Sequence, residues 1–95
     1  MQFLVVAMDG TDEDALARRL AVREAHLANA KKLKQDGTMI EGGAILDADG
    51  RMIGSACMVD FPSRAELDAW LDSDPYVTGD VWRDIKVSPI KLATR

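Results

Sequence analysis

The chain opens with apolar positions on both parities. In QFLVVAM, residues 2–8, Phe3, Val5 and Ala7 alternate with Leu4, Val6 and Met8. Such a run predicts a strand covered on both faces. Asp9-Gly10 breaks it, and the pattern then changes to a helical period. Thr11 is placed to cap a helix whose first turn carries Asp12, Glu13 and Asp14, matching the positive end of the helix dipole. The period predicts that helix as far as Gln35, with Gly37 as its stop and Leu16, Leu20, Leu27 and Ala30 as its core stripe.

Two extended runs follow, TMIEGGAIL and MIGSACMVDF, joined by DADGR. Asp49-Gly50 between them predicts an antiparallel hairpin, and Gly42, Gly43 and Gly54 mark bulges or close approaches to the backbone. After Pro62, Ser63 and Glu66 have capping-box spacing, and a second helix offers Leu67, Trp70 and Leu71 to the core before stopping near Asp72. DIKVSPIKL is the last strand, with Pro89 suiting an edge or bulge. Strand, helix, strand, strand, helix, strand is the split β-α-β unit repeated. It predicts one α+β domain over residues 1–95, ferredoxin-like, with an antiparallel sheet. Both helices then lie on one sheet face. The first strand is apolar on the other side too, so a second copy is expected there, giving a symmetric homodimer.

Composition narrows the function. A chain of 95 residues with a net charge of −4 lacks the basic surface that nucleic acid requires. The cluster Lys31, Lys32 and Lys34 has no interleaved aromatics and reads as a solvated helix face. No segment has the apolar length of a membrane span, and a lone Cys57 suits a reducing compartment, so a cytoplasmic protein is expected. One His and one Cys offer no metal-ligand spacing, and no glycine-rich phosphate loop precedes a helix.

Candidate chemistry centres on the single histidine, His26. On a helical wheel Arg23 falls inside the leucine stripe and His26 on its border, three residues away and therefore adjacent on the helix surface. A buried arginine needs a partner or a cleft for its head, so the pair points to a cleft, although each residue alone also suits a structural role. Asp74-Pro75 is a standard helix start, and Asp74 can cap the turn that runs through Tyr76 to Gly79. Its carboxylate can also hold one ring nitrogen of His26 and leave the other as a base. Ser55, beside Gly54, can offer a hydroxyl to a ligand, whereas Cys57 reads as a small buried hydrophobe.

Arg-x-x-His at Arg23 and His26, Gly42-Gly43, Gly54-Ser55, Asp74-Pro75-Tyr76 and the C-terminal Lys-Val-x-Pro occur in an order that resembles the YCII-related family of small dimeric proteins. The resemblance spans nearly the whole chain. It implies a dimeric α+β barrel of ferredoxin-like fold and a His/Asp site carried by His26 and Asp74, with Arg23, Ser55 and Tyr76 near the pocket. It also implies proton-transfer chemistry, since the family is associated with dehydrochlorination of a hydroxyquinol. The expectation is a lyase- or isomerase-type catalyst acting on a small-molecule substrate without an organic cofactor. The alternative is a binding or accessory module in which the same pocket holds a metabolite.

Overall fold

The computed structural model describes residues 1–95. Its elements are β1 (Gln2–Asp9), α1 (Ala15–Gln35), β2 (Met39–Leu46), β3 (Met52–Asp60), α2 (Arg64–Ser73), α3 (Pro75–Thr78) and β4 (Trp82–Ile90). The sheet order is β2-β3-β1-β4 and every pairing is antiparallel. This is the ferredoxin-like α+β arrangement expected from the sequence pattern.

β1 alternates between buried and half-buried positions. Phe3, Val5, Ala7 and Asp9 point under the helices, where Val59, Leu67, Leu71 and Val81 complete the core. Burying each large apolar side chain contributes about 1.5–3 kcal/mol, which fixes the register, since a one-residue slip would turn the whole set outward. Leu4, Val6 and Met8 lie on the opposite face beside Met58 and Ala56, and no helix of the chain covers them. Pro89 sits on β4, an edge strand, where its missing N–H costs no ladder bond.

Local chemistry sets the boundaries. The β2–β3 hairpin closes on the Asp47 carboxylate, which accepts from the N–H groups of Asp49 and Arg51 at 2.9 Å each. Gly50 turns there with φ 82°, and Gly37 leaves α1 with φ 86°, both in the left-handed region that glycine tolerates. Ser63 caps α2 by accepting from Glu66 N at 3.2 Å.

Three expectations are corrected. α1 begins at Ala15, because residues 12–14 form a turn instead of a first helical turn, and Thr11 does not cap it. Asp12 has a different task there. Its carboxylate binds Arg18 through two bonds of 2.8 and 3.0 Å, and that guanidinium holds it well below the ordinary carboxylate range. β4 begins at Trp82, two residues early, across a register shift opposite Met8 and Asp9. The buried face of α1 is also rotated. Ala15 and Arg19 are buried, and Val22 and Leu33 pack against the core, whereas Leu20 and Leu27 are 53% and 44% exposed.

Candidate active site

A cavity of about 630 Å³ lies between α1 and the β2–β3 half of the sheet, a size that suits a small organic molecule. His26, Arg23 and Leu27 on α1 face it from one side and Ser55 and Gly42 from the other, with Tyr76 and Trp82 contributing at its inner end.

His26 Nδ1 lies 2.8 Å from Asp74 Oδ1. The Asp74 side chain is only 1% exposed, against 12% for His26, so the carboxylate stands behind the imidazole. An ionised carboxylate can only accept, so Nδ1 carries the proton and Nε2 keeps its lone pair while the ring is neutral. The same Asp74 oxygen accepts from Tyr76 N at 2.9 Å, making Asp74 the N-cap of α3 as well. Proline at the first position of α3 fixes this start. The cap therefore positions the carboxylate, and the carboxylate positions the ring.

Tyr76 lies parallel to His26, with ring centroids 3.8 Å apart and planes 13° apart, and Trp82 meets the imidazole edge-on at 5.5 Å. This packing restricts the imidazole further. Burial raises the Tyr76 phenol above its ordinary pKa. Cys57 is a cavity-lining thiol whose pKa is pushed up to about 12 by burial, with the charge of Asp74 adding to it. It stays protonated near neutrality, which removes it as a nucleophile.

A second ionic group lies below. Arg19 Nη1 donates to both carboxylate oxygens of Asp9, at 3.0 and 3.1 Å, and Nη2 donates to Ser55 Oγ at 2.8 Å. Trp82 Nε1 donates to the same Ser55 oxygen at 3.2 Å. Two incoming donors occupy both lone pairs of the hydroxyl, so the Ser55 proton is the part of the group left for the cavity. Gly54 lets β3 run close to β1 at this point, because a Cβ there would stand 2.7 Å from Ala7 O. The Arg19 guanidinium carbon is also 4.6 Å from the Tyr76 ring centre, a cation–π contact.

The structure thus brings His26, Asp74, Tyr76 and Ser55 to one end of the cavity. Arg23 is the exception among the predicted residues. It is exposed on the cavity wall, and the arginine that enters the core is Arg19, one helical turn earlier. Arg19, Asp9 and Trp82 were not anticipated. Strand parity carried the signal for Asp9, which shares the face of Phe3, Val5 and Ala7 and so requires a buried cation; Arg19 lies on the same helix face as His26, seven residues before it. No group of three His, Cys, Asp or Glu side chains is close enough to hold a metal ion, and no helix is long and apolar enough to cross a membrane.

The family described as the YCII-related domain matches residues 1–91. The chain belongs to the YCII-related family. Protein YciI of Escherichia coli O6:H1 and that of Shigella flexneri are each 33% identical to it over 97 residues, covering 96% of this chain and 97% of theirs. Among solved structures, 5-chloro-2-hydroxyhydroquinone dehydrochlorinase (TftG) from Burkholderia phenoliruptrix AC1100, in complex with 2,5-dihydroxybenzoquinone, matches with a TM-score of 0.85 and 27% identity, over 96% of this chain and 94% of that one. A dimeric ferredoxin-like protein from Jannaschia sp. CCS1 shares the fold at a TM-score of 0.51 and 17% identity, over 96% of this chain and 98% of that one.

Proposed function

We propose that this YCII-related protein is a general acid–base catalyst for a small organic substrate. The observation that carries the reading is the hydrogen bond of His26 Nδ1 to a buried carboxylate, on a ring that also lines a ligand-sized cavity. In the proposed step His26 Nε2 takes a proton from a hydroxyl or acidic carbon of the substrate. The electron pair stays on the substrate and develops as an oxyanion, and the imidazolium is stabilised by Asp74. The Ser55 hydroxyl proton and the Arg23 guanidinium stabilise that negative charge, and Tyr76 forms the wall against which the ring is held. Returning the proton elsewhere completes an isomerisation; expelling a leaving group completes an elimination. The step uses only groups of the chain.

The similarity to a dehydrochlorinase bound to a dihydroxybenzoquinone supports hydroxylated aromatics as the substrate class. The apolar open face formed by Leu4, Val6 and Met8 suits a second copy packed sheet to sheet, and the homodimer is part of this proposal.

The test is a panel of hydroxylated and chlorinated hydroxyaromatics, followed by absorbance and by chloride release, with wild type and His26→Gln. Turnover of at least one compound is expected, reduced about a hundredfold or more in a folded His26→Gln protein. Equal turnover by the variant would remove His26 as the base. Binding without turnover across the panel would favour a metabolite-binding module built on the same cavity.

A further inference from the structure

The charge around the cavity is one-sided. The chain carries a net charge of −4, yet the charged side chains lining the cavity are Arg19, Arg23, Lys31 and Lys34, and no carboxylate is among them. Two of the four are already matched: Arg19 by Asp9 and Lys34 by Glu41. Arg23 and Lys31 have no carboxylate within ion-pair distance. They stand eight residues apart on α1, about 12 Å along its axis, with Leu27 midway between them, so all three belong to one ridge of the cavity wall. Arg23 lies one turn from His26, and Lys31 lies toward the far end, beside Lys34 and Gln35.

We infer that the ligand of this cavity is an organic anion: an aromatic or similarly apolar small molecule bearing a carboxylate. Its apolar body packs on Leu27, Met39 and Met52, and its charge is matched by Arg23 and Lys31. The physical reason is that a concave apolar wall strengthens the field of cations set into it, so an anion gains there what a neutral analogue of the same shape does not. No carboxylate of the lining competes for those cations. The inference rests on reading the cavity as the substrate's place, but not on His26 acting as a base.

The experiment compares 2,5-dihydroxybenzoate with 2,5-dihydroxybenzamide, which share a ring and differ in charge. Binding is measured by calorimetry at low salt and at about 0.5 M salt, where a screening length of about 4 Å weakens ion pairing. Chemical shifts of the Leu27 and Met39 methyl groups report whether the ligand sits in the cavity. The acid is expected to bind about tenfold more tightly at low salt, equivalent to about 1.4 kcal/mol. That preference should shrink at high salt and vanish in Arg23→Gln/Lys31→Gln, as affinity for the acid falls to that for the amide. His26→Gln should keep the preference, so loss of the acid–base reading would leave this one intact. Equal affinity for acid and amide would overturn the inference. So would a preference that survives the double variant, binding without shifts at the cavity methyls, or no binding of the acid at millimolar concentration.

Discussion

Two ionisable pairs beneath the surface tie α1 to the rest of the domain, and they differ in what they leave free. Arg19 and Asp9 are both only 3% exposed, and the terminal nitrogens of Arg19 are spent on Asp9 and Ser55. In the second pair, Asp74 is equally hidden but His26 keeps 12% of its side chain exposed and one nitrogen uncommitted. A closed pair can hold a structure together; a half-open pair can also exchange a proton. The difference arises from seven residues of one helix, two turns apart on one face.

The closed pair should be the more costly to break. Arg19→Met leaves an ionised Asp9 without its partner, and a loss of about 3–5 kcal/mol is expected in urea denaturation. Asp9→Leu/Arg19→Met should recover most of that loss, since removing both charges removes the desolvation cost with them. A double variant as unstable as the single one would show that the pair does more than balance its own charge.

The half-open pair should separate a structural task from a chemical one. Asn caps a helix about as well as Asp, whereas Ala does not, so Asp74→Ala should be about 1 kcal/mol less stable than Asp74→Asn. Turnover on any substrate found should fall in both, on the order of a hundredfold, because neither supplies the negative charge behind the ring. If Asp74→Asn kept full turnover, Asp74 would be a cap alone.

The effect that is smallest near neutrality concerns the wall around the half-open pair. Burial raises the pKa values of Cys57 and Tyr76, so the folded state holds these protons more tightly than the unfolded state does. Their contribution to stability is fully present below the unfolded values, 9.0 for the thiol and 10.0 for the phenol. For the thiol it is lost as pH rises from 9.0 toward about 12. Denaturation midpoints should therefore be insensitive to these groups at pH 7 and decline above pH 9.0.

How much of this was legible depends on the element. β1 parity, the Asp49-Gly50 turn, the Ser63 cap and the Asp74-Pro75 start each rest on local chemistry that the fold does not override, and all appear at those residues. The face of α1 is not legible from its leucines, which do not form the buried stripe. Leu27 instead lines a cavity and Leu20 faces outward, while Arg19 and His26 turn inward, where Asp9 and Asp74 compensate their polarity. Both partners come from elements distant in sequence, at the end of β1 and the start of α3. A helical wheel considers one helix at a time and cannot weigh such partners.

The most direct test of the account is the tautomer of His26, read from a two-dimensional nitrogen–proton correlation spectrum of the imidazole. The chain has one histidine, so the signals need no assignment. The account predicts a proton on Nδ1 and a lone pair on Nε2 in the neutral ring of the wild type, changing in Asp74→Ala toward the form protonated on Nε2. A wild-type ring protonated on Nε2, or a spectrum unaltered by Asp74→Ala, would contradict it.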